Sequence, residues 1–382
     1  MATIINADTS DGLKLTSDTS GEIQFQSGGT TKMTVSSSGV SGIPTYAGTK
    51  NRIINGNMAI DQRGSGALEN GFLVDRFSIG SSQASKGSAT VQTADVPTKF
   101  TSALKYTSST AYSILATDYF FVTQKIEGNN IADLNWGTAD AQTITLSFWV
   151  KSSLTGTFGG ALRNSAFNYN YPYTYTISSA DTWEKKSVTI TGPTSGTWLT
   201  TNGTGIDVWF SLGMGTTYSD TAGAWTTTAG LGSATGATSV VGTSGATWLV
   251  TGVQLEVGTT ATDFENLQYT TQLQLCQRYY EKSYNQSTVP GTGQIAGAAA
   301  TVSSSLAPTQ APGVTFKVTK RAAPTMAIYN GVTGAVGNSY RVSDAASVAT
   351  TFSHIGEHGA AYINIPSSAN GYYFHFTAAS EL

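Results

Sequence analysis

Leu249–Lys282 reads LVTGVQLEVGTTATDFENLQYTTQLQLCQRYYEK. Leu249, Thr251, Val253, Leu255 and Val257 share one parity, and Val250, Gly252, Gln254 and Glu256 take the other. That period of two predicts a half-buried strand with Gln254 and Glu256 on its polar face. Gly258, Thr259 and Thr260 then supply turn chemistry. Leu273, Cys276 and Tyr280 follow at i, i+3, i+7, with Leu275 and Tyr279 beside them, which predicts a helix. Thr270 or Thr271 suits its N-cap. The apolar arc is wider than a lone surface helix needs. The helix is therefore expected to pack on both sides, between two domains or against a neighbouring chain, with Leu273, Cys276 and Tyr280 in the interface. The stretch closes one domain and brackets it to the next.

Upstream, strands recur at turn-separated spacing. Ile144, Leu146, Phe148 and Val150 share one parity, Tyr173, Tyr175 and Ile177 another run, and Val188 with Ile190 a third. Val208, Phe210 and Leu212 form a fourth. With Leu249–Val257 closing, this is the pattern of an antiparallel sandwich. Gly-rich inserts interrupt it at 192–205 and 213–245. Downstream, Val314, Phe316 and Val318 alternate, Met326 and Ile328 follow Pro324, and 362–365 and 371–378 read as further strands. The expected fold class is all-β: a repetitive N-terminal stem (1–48), a large jelly roll (49–265), a helical bracket (266–283) and a smaller β-sandwich domain (284–382).

The stem prediction rests on a repeat. Leu13 and Leu15, Ile23 and Phe25, Met33 and Val35 are apolar pairs ten residues apart, punctuated by glycines. One such strip is too thin to bury its own apolar face, because repeat units need stacked neighbours. Three chains side by side solve this, and a hairpin packed on the main domain is the alternative. The first solution places Leu13, Leu15, Ile23 and Phe25 in an oligomer interface.

Composition narrows the function. Charged residues are 11% of 382, and the formal charge is −3. Ordinary soluble proteins carry about 25% charged residues. Hydroxyls and amides keep this chain in water, and there is no basic stripe of the kind a nucleic-acid groove needs. No apolar run approaches a membrane span. The N-terminal MATIINADTSDG lacks the basic and apolar regions of a signal peptide. Cys276 is the single cysteine, so no intrachain disulfide forms. Nothing calls for a cofactor. A virion protein made in bacterial cytosol and released by lysis would need neither secretion signal nor disulfide.

Four stretches carry a resemblance: GVQLEVGTTATDFE with LQLCQRYYEK, NRIINGNMAIDQRGSG at 51–66 with GFLVDRFSI at 71–79, KRAAPTMAIYN, and the terminal GYYFHFTAASEL. They resemble segments of tail-fibre and receptor-binding proteins of tailed bacteriophages, and the opening segments also resemble first strands of carbohydrate-binding jelly rolls. The resemblance implies a non-enzymatic adhesin, homotrimeric, attached to other virion tail proteins through its N-terminus and binding host-surface glycan. A structural virion protein, as tail adaptor or capsid decoration, is the alternative, and a glycan depolymerase is a third class. The resemblance also brings in a structural calcium near Asp61, Asp75 or Glu256, against the plainer reading of solvated carboxylates.

Chemistry-bearing motifs are few. His354-Ile-Gly-Glu357-His358 has the spacing of an inverted zinc-protease motif, but that chemistry needs a helix, and Gly356 with strand-like flanks predicts a turn. Gly291-Thr-Gly293 lacks the flanking strand and helix of a dinucleotide fingerprint. Aromatics say more. Trp149 and Trp209 fall opposite the aliphatic parity of their strands, as does Trp183 beside Lys185, and such faces mark contacts. They are expected under a neighbouring subunit, a loop insert or the helix. Trp198 and Trp225 lie in the Gly/Thr-rich inserts, and Tyr169 and Tyr171 in FNYNYPY. Loop aromatics beside amides and hydroxyls suit glycan stacking, or they tuck under their own loops.

Overall fold

The structure, a computed structural model, describes residues 21–27, 30–36, 39–41, 49–302, 310–365 and 371–382. The chain divides into two compact units, Met1–Thr49 and Lys50–Leu382.

In the first unit, β1 (Ile23–Ser27), β2 (Thr30–Ser36) and β3 (Gly39–Ser41) form an antiparallel sheet in that order. Ile23 pairs with Val35 and Phe25 with Met33, so the apolar pairs of successive repeats stand opposite each other. Phe25 remains 40% exposed. Leu13 and Leu15 lie outside the described residues.

The second unit holds two all-β bodies. The larger is a sandwich of two antiparallel sheets. Its strands are β4 (Gly71–Val74), β5 (Phe77–Ser81), β6 (Gly87–Gln92), β7 (Ala103–Ser108), β8 (Tyr119–Glu127), β9 (Ile144–Ser152) and β10 (Gly156–Arg163). Next come β11 (Asn170–Ile177), β12 (Glu184–Ile190), β13 (Thr204–Met214) and, after the short parallel pair β14 (Ser219–Asp220) and β15 (Ser233–Ala234), the closing β16 (Thr247–Val257). One sheet runs β11-β10-β13-β8-β5-β4 and the other β12-β9-β16-β7-β6. Inward residues of both meet in one core, including Phe148, Val150 and Leu255 from one sheet and Phe120, Val208 and Phe210 from the other. Phe148 packs edge-on against Tyr175 and Phe210, at 5.0 Å each. Such pairs contribute about 0.5–1.5 kcal/mol beyond their burial.

β16 is an interior strand, paired with β9 and β7. The simple alternation expected along it fails at one point. Its register against β9 shifts between Thr251 and Gln254. Gly252 there has φ +61, a left-handed conformation that glycine adopts without strain. The bulge exchanges the two faces. Val250 points into the core before it, and Val253 and Leu255 do so after it. The ladder groups it frees are taken by the start of the domain. Val253 N–H donates to Gly56 O (2.9 Å), and Asn51 Nδ2 donates to Val253 O (3.1 Å). The segment at 51–66 is thus stitched to the closing strand. Gln254 and Glu256, expected on a solvated face, are fully buried. Gln254 Nε2 and the Thr262 N–H and hydroxyl donate to Glu256, because the 258–266 segment folds back over them.

α1 (Tyr269–Gln277) follows. It begins one residue before the expected N-cap threonines, with Gln268 at its N-cap. It also ends before Tyr280, which opens strand β17 (Tyr280–Lys282), so the helical spacing through Tyr280 overruns the helix. β17 pairs with the last strand of the chain and commits the backbone to the smaller body. Cys276 is buried with Ile54, Ile60 and Tyr279, with Leu273, Leu275 and the terminal Leu382 packed alongside. Burial holds the Cys276 thiol well above its usual pKa, so it is an inert core group.

The smaller body adds β18 (Ala299–Val302), β19 (Gln310–Thr315), β20 (Thr325–Asn330), β21 (Asn338–Arg341), β22 (Ala346–Ala349), β23 (Thr351–Gly356), β24 (Gly359–Asn364) and β25 (Gly371–Ala379). β25 pairs with β17, β18, β20 and β21, while β19-β24-β23 forms the second sheet. Phe316, Ile328, Ile363, Phe374 and Phe376 fill the core between them.

The two bodies are joined by buried polar chemistry. Arg278 forks onto Glu127 of β8 (Nε 2.8 Å, Nη2 2.6 Å), and Tyr279 OH donates to the same carboxylate at 2.6 Å. Burial pushes the Glu127 carboxyl up, but these donors outweigh it and hold its pKa below the usual range. Arg63 and Arg76 both pair with Glu381, and their guanidiniums lie over the rings of Tyr280 (3.7 Å) and Tyr279 (3.6 Å). Beneath them Asp75 accepts from Gln62 Nε2 (2.5 Å) and from Arg63 at 3.3 Å. Complete burial raises Asp75 to about 6, partly offset by Arg63.

Candidate ligand-binding face

The outer face of the six-stranded sheet carries a built cleft. Alternation along β8 sends Phe120 and Val122 inward and leaves Tyr119, Phe121, Thr123 and Lys125 outward. On β13 the same alternation sends Val208 and Phe210 inward and turns Asp207 and Trp209 outward. Register places Trp209 beside Thr123 and Asp207 beside Arg163 of β10. Phe121 stacks on Trp209 with ring centroids 3.7 Å apart. Gly80 of β5 sits opposite Phe121, and a Cβ there would meet its ring at 2.4 Å, so only glycine lets that ring lie down across the strand.

Polar groups under this platform are fixed. Asp207 is fully buried and accepts from Arg163 Nη2 (2.7 Å), Trp209 Nε1 (2.7 Å) and the Thr123 hydroxyl. The Arg163 guanidinium lies 3.6 Å from the centroid of the Trp209 ring and 4.2 Å from that of Phe167. Its Nε is buried without a hydrogen-bond partner. The 214–232 insert and Phe167 rise beside the sheet, and with Tyr218 and Met214 they enclose a cleft of about 390 Å³. A volume of this size lies within the range of small-ligand sites. Rings, a buried ion pair and an open mouth form a surface suited to a flat, hydroxylated ligand: the rings take its apolar face, and fixed donors and acceptors take its edges.

Trp209 is thus covered by its own fold, at 9% exposure, under Phe121, Arg163 and the insert. Trp149 stands on the outer face of the other sheet, half-buried beside Phe100.

Trp198, Trp225, Tyr169 and Tyr171, spread over 57 positions, come together in one cluster. Its centre is Trp225, whose ring meets all three of these others, and a fifth ring, Trp136, which the sequence reading missed, completes it. Trp136 lies 4.7 Å from Trp198 and 5.5 Å from Trp225, both edge-on. All three indole N–H groups donate to backbone carbonyls, of Gln142, Ser195 and Thr191. Trp198 and Tyr171 are buried, whereas Tyr169 and Trp225 are half-buried. The cluster braces the loops at the end of the sandwich. Trp136 sits in a turn between Asn135 and Gly137, where neither strand nor helix periodicity marks it.

His354 lies in β23 and His358 in the following turn, where its Nδ1 is 3.3 Å from the Thr319 hydroxyl. Among the described residues no group of three or more His, Cys, Asp or Glu is placed to hold a metal ion. Asp61 accepts from Gly64 N–H, and Asp75 and Glu256 are engaged as described above. No helix among the described residues is long and apolar enough to cross a membrane.

No protein-family model matches the chain, and no curated protein matches it. Among solved structures, the enzymatically active domain of tailspike protein 4 of bacteriophage CBA120 aligns over 55% of this chain at 14% identity and a TM-score of 0.32. That alignment spans 22% of the tailspike chain. A family 11 carbohydrate-binding module from Clostridium thermocellum, in complex with a mixed-linked tetrasaccharide, aligns over 52% of this chain and 96% of its own, at 9% identity and 0.28. The module TmCBM61, in complex with β-1,4-galactotriose, aligns over 55% of this chain and all of its own, at 10% and 0.28. Likenesses at these scores fix neither family nor ligand.

Proposed function

We propose that this protein is a glycan-binding adhesin, used as the tail fibre or receptor-binding protein of a tailed bacteriophage. The observation that carries the binding reading is the cleft over Phe121 and Trp209, where stacked rings adjoin a buried Arg163–Asp207 pair. The phage assignment draws on the four stretches whose wording resembles that family. In this reading Tyr119, Phe121, Tyr218 and Phe167 touch the sugar, and Trp209 with Asp207 fixes the floor. Tyr169 and Trp225 are the cluster rings with surface left to offer, while Trp198 and Tyr171 act as braces. The thin stem sheet, with Phe25 in water, associates with two further copies and joins the virion. Many weak contacts on three subunits then add through effective concentration.

The test uses labelled protein on an array of bacterial surface polysaccharides and on host cells. Tyr218→Ala and Phe121→Ala should each weaken binding at least ten-fold with the thermal melt retained. Binding that both variants keep would remove the cleft from the reading. Binding only to virion components would assign the adaptor role, and released oligosaccharide would assign a depolymerase. Light scattering tests the trimer, which a monomer at micromolar concentration contradicts.

A further inference from the structure

The opposite face of the sandwich carries a second cleft of different chemistry. It lies over β9 and β12, between the loop that joins β6 to β7 and the segment that leaves β16, and encloses about 580 Å³. Trp149 and Lys185 are direct cross-strand neighbours on its floor. Trp183 stands beside them, its Nε1 donating to Asp95 O at 3.0 Å, which sets the indole against the loop. The bulge at Gly252 makes room here. A Cβ on Gly252 would meet the Phe100 ring at 2.6 Å and Trp149 at 3.1 Å. Phe100 in turn packs edge-on against Phe264 at 5.2 Å, which closes one wall.

The charges are what distinguish this cleft. Lys99 and Lys185 both line it, both are exposed, and neither has an ion-pair partner among the described residues. Lys185 Nζ reaches one carbonyl, Thr262 O, at 3.2 Å. Asp263 is the one acid in the lining, so the cleft keeps an excess positive charge in a chain of net −3. Lys99 has φ +81 and Asp95, in the same loop, φ +53. Left-handed non-glycine residues cost energy and persist where the surroundings hold them. Here the Trp183–Asp95 bond and the Lys151–Asp95 ion pair do so, and they hold the loop that carries Lys99 over the tryptophans. By contrast, the arginine of the first cleft is neutralised by Asp207.

We propose that this second cleft binds a carboxylate-bearing saccharide, such as a uronate or sialate residue of an acidic polysaccharide. The indoles of Trp149 and Trp183 take the apolar face of the ring. Lys99 and Lys185 take the carboxylate, and Asp263 accepts from ring hydroxyls. Charge-assisted pairs of this kind are about twice as strong as neutral ones and weaken with salt.

Calorimetry on the full chain with a panel of uronate- and sialate-terminated oligosaccharides and their methyl esters tests this. At least one acid should bind, at least ten-fold more tightly than its ester and less tightly as salt rises. Lys185→Glu and Lys99→Asn should each weaken it; asparagine tolerates the left-handed backbone of position 99, so the fold is kept. Tyr218→Ala, in the insert beside the first cleft, should leave it unchanged. No binding of any acid, equal binding of acid and ester, or indifference to Lys185→Glu would overturn the proposal. So would a fall in oligomer mass with Trp183→Ala, which would make the face a contact between copies. Loss of polysaccharide binding by Tyr218→Ala while every acid fails would leave the first cleft standing and remove only the second.

Discussion

The cleft over Trp209 and the junction beneath Tyr279 are built from the same parts. In one, Arg163 lies over Trp209 and pairs with Asp207; in the other, Arg76 lies over Tyr279 and pairs with Glu381. The stacking distance is 3.6 Å in both. What differs is the covering. At the junction the C-terminal residues, α1 and β17 close over the ion pairs, and Asp75, Gln62 and Glu127 add further hydrogen bonds. On the sheet face the insert and Phe167 stop short of closing, and an open volume remains above the rings. The kit alone therefore does not mark a binding site; an unfilled volume above it does. Changes at the junction should cost stability and spare binding, and changes at the cleft should do the reverse.

The largest expected effect is at the junction. Glu127→Ala leaves Arg278 and Tyr279 OH without their shared acceptor, and removing one partner of such a pair costs about 3 kcal/mol. A denaturant midpoint should fall accordingly, with polysaccharide binding unchanged in what remains folded. Asp75 comes next and carries a pH signature. Its folded pKa, raised to about 6, exceeds the unfolded value of 3.8. Between those pH values the folded state keeps a proton that the unfolded chain has released. This group's contribution is therefore most favourable below 3.8 and is lost as pH rises through 6. The full shift corresponds to roughly 3 kcal/mol, as an upper bound. Stability curves of wild type and Asp75→Asn between pH 4.5 and 7.5 should diverge, with the wild type losing ground as pH rises. Parallel curves would show that Asp75 does not titrate there.

A smaller cost, about 2 kcal/mol, is expected from Leu273→Glu, which puts a charge against the buried cluster of Ile54, Ile60, Cys276 and Tyr279. Limited proteolysis between the two β bodies reads it out. If cleavage there is unchanged, the helix does not hold the bodies together. The smallest effect on stability, under about 1 kcal/mol, is expected for Tyr218→Ala, which lies outside the sheets and is half-buried. Its effect on binding should nonetheless be among the largest.

The strands were legible because inward and outward residues alternate on them, and Trp209 was legible as an outward residue by its parity. Its partners were not. Phe121, Arg163 and Asp207 come from three strands, and only the sheet order β10-β13-β8 brings them together. Asp207 shares the parity of Trp209, and Tyr119, Phe121, Thr123 and Lys125 share theirs, so an outward row could have been read on each strand. The aromatic cluster was largely legible: Trp198 and Trp225 stood out in Gly/Thr-rich inserts and Tyr169 and Tyr171 in FNYNYPY, but Trp136 carried no local signal. Gly252 did carry one, since a lone glycine in a strand pattern suggests a bulge. Reading it would have moved Val250 inward; Gln254 and Glu256 keep the outer face and are buried by the 258–266 segment, which no alternation along the strand announces. The helix overran because Tyr279 and Tyr280 continue its apolar spacing, although pairing with β25 makes Tyr280 a strand residue.

The most direct test of the central claim is a crystal structure of the protein with an array-selected oligosaccharide bound. The account predicts a sugar ring within about 4 Å of Phe121 and Tyr218, above Trp209 and Arg163. A ligand seated instead over Trp198 and Trp225, with the cleft on the six-stranded sheet empty, would contradict it.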